Sequence, residues 1–310
     1  MMKHKIGIIG IGMVGMPLKG WFEQNGFERG KDLFLYDIDP KKDYFDDINN
    51  AHIVFLTVPT QRSPDGSCNL DAVSSAFSAL ALCSEPMIII IKSTVPPGTT
   101  ENFQKSYPRF KVLFNPEFLT EKHAREDFIR PDRQIVGFTE HSLDAAHLVL
   151  SLLPRAPFMS PWGVNTYSQI RITATEAEII KYGGNVWFAR KVNFANALNL
   201  LCEKLGVDYE NIRLGMSADY RIGDSHLDVS HGGYRGWGGY CFPKDLDAFI
   251  AALKAAGMNE SVALLEGDRE FNVKILASQG LTIADVSQHY DANELLLKIK
   301  KAKKDTEMAL

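Results

Sequence analysis

The sequence predicts an α/β protein: a doubly wound, Rossmann-type parallel sheet followed by an all-helical domain with one long helix. Three features predict it. A glycine fingerprint follows the first apolar strand, strand-length apolar runs then alternate with helical stretches, and residues 169–205 read as one continuous helix. The 310 residues suffice for two ordinary domains. We place them at 1–165 and 166–280, with a partly helical tail at 281–310.

Ile6-Gly7-Ile8-Ile9 is a short strand that runs into Gly10-Ile11-Gly12-Met13-Val14-Gly15, with Met13 to Glu23 helical by composition. The glycines permit a tight turn and the close approach of a pyrophosphate, and the helix N-terminus offers free amides. A second strand, Leu33 to Tyr36, ends at Asp37. A carboxylate there accepts from both ribose hydroxyls and repels a 2′-phosphate, which favours NAD over NADP.

Ile53 to Leu56, Met87 to Ile91, Val112 to Phe114 and Ile135-Val136-Gly137 suit buried parallel strands. Helices are expected between them at Leu70 to Leu82, Thr99 to Ser106 and Ser142 to Leu153. Polar turns close three strands: Val58-Pro59-Thr60, Lys92-Ser93-Thr94-Val95-Pro96 and Asn115-Pro116-Glu117. Singly, each proline ends a strand. Together the turns read as a cofactor and substrate rim, with Pro59, Thr60 and Thr94 on the cofactor side.

Lys181 and Asn185 interrupt the apolar long helix one turn apart. They are either a donor pair for a negative oxygen or a surface lysine beside a satisfied amide. Gly183-Gly184 costs that helix roughly 2 kcal/mol, which suggests close approach of a ligand or another helix. Val186 to Leu201 is apolar on several faces, for a subunit interface or for packing in its own domain. Asp208 to Met216, Lys244 to Ala256, Glu260 to Ser278 and Ala292 to Lys303 read as further helices. His226 and His231, in the loop from Asp219 to Tyr240, lack metal-ligand spacing, so no metal is expected.

Gly238-Gly239-Tyr240-Cys241-Phe242-Pro243-Lys244-Asp245 is the most informative stretch. A glycine-rich turn delivers Cys241, and Pro243 suits a first helical turn, where its missing amide has no partner. Cys241 then falls near a helix N-terminus, where the macrodipole favours a thiolate, and Lys244 adds positive charge. Asp245 shares its face one turn on. That is a nucleophile beside a carboxylate; the competing reading is a buried structural cysteine.

The net charge of −4 gives no general attraction to nucleic acid or anionic membrane. Only Lys298 to Lys304 is locally basic, as a solvated helix face would be. Cys68, Cys83, Cys202 and Cys241 have neither zinc nor disulfide spacing. No run has membrane-span length and the first strand begins too early for a signal peptide, so a reducing cytoplasm is expected.

So assembled, the chain resembles the UDP-glucose/GDP-mannose dehydrogenase family of nucleotide-sugar 6-dehydrogenases. The resemblance runs in order over residues 5–275. It passes through the fingerprint, Ser93-Thr94-Val95-Pro96, Asn115-Pro116-Glu117-Phe118-Leu119, Lys181 with Asn185, Arg221-Ile222-Gly223, and Gly238 to Asp245. The Cys-Phe-Pro-Lys-Asp wording looks most like the UDP-glucose branch.

The resemblance implies a four-electron oxidation of a sugar C6 alcohol to a carboxylate with two NAD⁺. It makes Cys241 the trap for the aldehyde, as a thiohemiacetal and then a thioester. Lys181 and Asn185 become oxyanion donors. Asp245, with a water that Thr94 positions, handles the alcohol proton, and Glu117 assists hydrolysis. Glu117, Phe118, Leu119, Glu121 and Gly238 line the sugar site, and Lys244 joins the cofactor contacts. Arg221 reaches substrate across a homodimer interface built on the long helix.

Three departures from the family pattern stand out. The family's C-terminal α/β domain, which grips the nucleotide, is expected to be lacking; the connection from Asp37 to Ile53 is short; and the loop before Cys241 includes Tyr234-Arg235-Gly236-Trp237. Two other readings stay open: a single-step 3-hydroxyacid dehydrogenase using Lys181 as acid/base, and a non-catalytic NAD-binding or dimerisation module.

Overall fold

Strands with no polar face must be covered on both sides, and the first half of the chain is built that way. The computed structural model describes residues 4–83, 85–120, 122–161, 171–287 and 292–307, with side chains of the last helix described over 294–302. The chain forms two units, Met1–Ser63 with Cys68–Lys181, and Pro64–Ser67 with Tyr182–Leu310.

In the first unit β1 (Ile6–Ile9), β2 (Leu33–Tyr36), β3 (Ile53–Leu56), β4 (Ile88–Ile91) and β5 (Lys111–Phe114) pair in parallel, in the order β2-β1-β3-β4-β5. The order reverses between β1 and β3, which opens a binding crevice at the strands' carboxyl ends. Alternate residues serve opposite faces. Leu18 and Phe22 of α1 (Gly15–Gln24) share one core with Ile8, Phe55, Ile90 and Leu113. Phe77 and Leu80 of α2 (Asp71–Leu80), and Phe103 of α3 (Thr99–Ser106), share the other with Leu56, Ile89, Ile91 and Val112. α4 (Ala124–Ile129) and α5 (Leu143–Leu152) complete the first face through Phe128, Val149 and Leu150. Each such side chain contributes roughly 1.5–3 kcal/mol on burial.

Ile135-Val136-Gly137 is not one parallel strand. β6 (Arg133–Ile135) forms a separate two-stranded sheet with β8 (Phe158–Ser160), while β7 (Gly137–Phe138) closes the main sheet antiparallel to β5. Where the strand divides, α6 (Ala174–Leu205) packs so closely that only glycine fits: a Cβ on Gly137 would lie 2.7 Å from the Ala177 Cβ and 2.8 Å from the Thr173 carbonyl. Thr173 starts α6 through a capping box with Glu176, whose carboxylate takes the Thr173 amide at 2.7 Å. The helix therefore begins at Ala174; residues 171–173 are not helical, and 169–170 lie outside the described residues.

The second unit is helical: α6 from Tyr182, α7 (Tyr209–Ser217), α8 (Cys241–Ala255), α9 (Asn259–Ala277), α10 (Ile283–Val286) and α11 (Ala292–Glu307). Its main core joins Val186, Ala189 and Val192 of α6 to Trp237, Leu246, Ile250, Val262 and Leu265. α8 starts at Cys241 rather than at Lys244, because Pro243 fits inside the first turn without breaking it. Among the described residues nothing lies within 4 Å of a Cβ built on Gly183, so within this chain the helix is open there. Among the described residues no helix is long and apolar enough to cross a membrane.

Candidate active site

The fingerprint shapes the crevice. Gly10 (φ 93°) turns the chain at the end of β1, where a Cβ would lie 2.9 Å from the Thr57 carbonyl. Gly15 opens α1 against Gly10 O and Thr57 Oγ1. Gly12 is the contrast: among the described residues nothing lies within 4 Å of its Cβ position, which is the open approach a pyrophosphate needs. Met13 and Val14 complete the turn, Val14 as N-cap.

At the end of β2 the Asp37 carboxylate accepts from Ile11 N (2.6 Å) and Asp39 N (2.9 Å) and pairs with Lys42 Nζ (2.8 Å). Burial pushes this carboxyl up, but Lys42 and the two amides outweigh it and hold it below its ordinary value. Lys42 is not singled out by the sequence. Its signal is Asp39-Pro40, which starts a 3₁₀ turn and folds residue 42 back on residue 37. The rim loops after β3 and β4 are tied together: Thr60 Oγ1 donates to Thr94 O (2.8 Å) and Ser93 Oγ to Val58 O (2.6 Å), with Pro59 exposed between. An open glycine, an ionised acid at the strand end and free first-turn amides fit a dinucleotide.

Glu117 and Lys181 form a buried pair at 2.7 Å, only 6 % and 4 % exposed. The second Glu117 oxygen takes Leu119 N at 2.8 Å. Burial pushes the Glu117 carboxyl up; the Lys181 ammonium and that amide win, and it stays below its ordinary value. Phe118 lies alongside, with Arg133 Cζ 3.8 Å and Lys181 Nζ 5.9 Å from its ring centroid. Leu119 is half-buried beside it, and Glu121 lies outside the described residues. A further cation, buried Lys92, donates to Asn115 Oδ1 (2.7 Å), and Asn115 Nδ2 donates to Gln134 Oε1 (2.9 Å). Burial lowers the Lys92 ammonium to about 8, opposed by the Glu117 charge. The sequence gives no sign of this network, since a strand-end lysine reads as an exposed one.

In the second unit Cys241 is the half-buried first residue of α8. Asp245, one turn on and 1 % exposed, accepts from Asn185 Nδ2 and from Lys244 Nζ, both at 2.5 Å. α9 and the turn after it hold the approach to the cysteine. Asn272 accepts from Trp237 N (2.8 Å) and donates to Trp237 O (2.9 Å), and Gln279 does the same for Arg235. Gly239 N donates to Val286 O at 2.6 Å, and a Cβ on Gly238 would collide with that carbonyl. Arg221 is not joined to this group; its guanidinium, 75 % exposed, is held by Asp219. Among the described residues no three His, Cys, Asp or Glu side chains gather to hold a metal.

Residues 38–150 match the NAD binding domain of the UDP-glucose/GDP-mannose dehydrogenase family, and residues 175–274 match its central domain. The chain belongs to that family. The dinucleotide its crevice serves is NAD. UDP-glucose 6-dehydrogenases of Pseudomonas aeruginosa and Rickettsia bellii are 37% and 35% identical to it over 224 and 217 residues, 69% and 68% of this chain. Those stretches are 47% of each relative, so this family member spans about half the length of the curated relatives it matches. A UDP-glucose dehydrogenase of Pyrobaculum islandicum has a TM-score of 0.74 at 27% identity, covering 89% of this chain and 71% of that one. A Mycobacterium tuberculosis 3-hydroxyisobutyrate dehydrogenase shares the fold alone: TM-score 0.68 at 16% identity, over 97% of this chain and 99% of that one.

Proposed function

We propose that the chain oxidises the C6 alcohol of a nucleotide sugar to the carboxylate in two steps, with UDP-glucose as substrate. The observation that carries this is Cys241 opening α8 with Asp245 one turn on. A single alcohol oxidation has no use for a thiol, whereas a thiol that adds to the aldehyde sets up the second hydride transfer. The names of the relatives support the choice of sugar.

NAD⁺ bound at the fingerprint, Asp37, Pro59, Thr60, Thr94 and Lys244 supplies the hydride acceptor for both oxidations. Asp245, held by Asn185 and Lys244, takes the alcohol proton through a water, and Thr94 orients that water. Cys241 Sγ adds to the aldehyde carbon. Lys181 and Asn185 stabilise the oxyanion of the resulting thiohemiacetal by donating to it. Oxidation leaves a thioester, and Glu117 activates the water that releases the acid and returns the thiol. Phe118, Leu119, Glu121 and Gly238 shape the sugar site.

We also read α6 as a homodimer seam. Trp187, Phe194 and Leu201 recur every seven residues and are 60 %, 56 % and 53 % exposed. A groove of about 640 Å³ lined by Trp187, Phe194, Met216 and Ile222 also takes in Arg221, which contacts substrate of the partner protomer from there. Four thiols without a disulfide suit a reducing cytoplasm.

Purified protein given NAD⁺ and UDP-glucose should yield two NADH per uronate, and Cys241→Ser should yield no acid. One NADH per product, or acid from the serine variant, overturns the reading.

A further inference from the structure

Within the first unit, the first turns of α6 meet β7, the start of α3 and the loop after β5 in succession. Ala174 and Ala177 lie against Gly137, the Glu178 carboxylate reaches Gly98 and Thr100, and Lys181 holds Glu117. The middle link has no part in the proposed chemistry. Glu178 is 0 % exposed and accepts from Gly98 N (2.6 Å), Thr100 N (2.8 Å) and Thr100 Oγ1 (2.6 Å). These amides sit at the start of α3, whose N-cap, Gly98 (φ 88°), has no side chain to offer them.

A serine or asparagine cap from the loop itself would take the Thr100 amide without burying a charge. Here burial pushes the Glu178 carboxyl up to about 7 in spite of its three donors. Glu101 of α3 adds a like charge, while Glu176 and Lys181 on its own helix are bound to Thr173 and Glu117. A costly cap delivered from a distant helix implies that the connection itself matters. The loop it closes, residues 93–98, is already tied at its other end by Ser93 to Val58 and Thr60 to Thr94. That loop carries Thr94 along the carboxyl edge of the sheet, where a dinucleotide lies.

We infer that Glu178 is a positioning residue that fixes the loop presenting Thr94 relative to the helical turn presenting Lys181. The consequence for cofactor binding rests on the NAD site described above. The test is Glu178→Gln in the full chain, with Thr100→Val as a milder second variant, followed by hydrogen–deuterium exchange and NAD⁺ titration. Exchange across residues 93–100 should rise about tenfold while the amides of β1 and β3 stay unchanged. The NAD⁺ dissociation constant should rise several-fold. Thr100→Val, which keeps both amide bonds, should repeat the pattern at smaller size.

Unchanged exchange at 93–100, or an equal rise in the sheet strands, overturns the inference, because the link is then dispensable or a general stabiliser. Faster loop exchange with unaltered NAD⁺ affinity overturns it too. A wild-type protein that binds no NAD⁺ would sink the cofactor site instead, and loop exchange would still decide whether Glu178 holds the loop.

Discussion

Two buried glutamates in the first unit carry opposite pH signatures, because one has a cation and the other has only neutral donors. Glu117 lies below its ordinary value beside Lys181. It adds stability above about pH 4.5, lost as pH falls through its folded-state value. Glu178 is raised from 4.5 to about 7, so its contribution is present below pH 4.5 and disappears as pH rises through 7. In urea unfolding, the deficit of Glu178→Gln against wild type should therefore shrink between pH 4.5 and 7, by on the order of 3 kcal/mol. A deficit that grows with pH would refute the assignment. Lys181→Met should cost about 3–5 kcal/mol at pH 7 by stranding Glu117, and adding Glu117→Gln should recover much of the loss.

At the scale of elements, the loop leading to Cys241 is clamped by side-chain amides of α9 and of the turn that follows it. Asn272 in α9 and Gln279 just past its C-cap each bind both backbone groups of one loop residue, much as a neighbouring strand would. Trp237 is fixed further by its indole N–H to Asn193 Oδ1 at 2.9 Å. Asn272 is fully buried, so Asn272→Ala leaves a backbone amide and a carbonyl without partners. Unfolding free energy should fall by about 2–3 kcal/mol, and uronate formation should fall about tenfold as Cys241 loses its fixed position. Full activity in a correctly folded Asn272→Ala would show that the clamp does not position the thiol.

For the whole molecule, the proposal that decides most is the dimer. Wild type should sediment as a dimer, and Trp187→Glu with Phe194→Glu as a monomer, because two charges would be buried in an apolar seam. A variant that stays dimeric would place the interface elsewhere.

Much of this protein is legible in local sequence. The fingerprint, the acid ending β2 and the alternation of strands and helices fix the α/β order and the dinucleotide crevice, because periodicity and turn chemistry report burial and backbone shape directly. The same holds for Cys241, Pro243 and Asp245, which one helical turn brings together. Partnership over distance is another matter. Glu117 and Lys181 are each conspicuous, yet their pairing spans 64 residues; Glu178 and Gly98 are 80 apart, and Asn272 and Trp237 are 35 apart. The division of residues 133–138 between two sheets is likewise a matter of long-range pairing, and it occurs where α6 lies close on Gly137. Local sequence sets which apolar residues are buried and which helix face they occupy. Which buried polar group meets which is decided only when the elements pack, since a hydrogen bond requires placement to within tenths of an ångström.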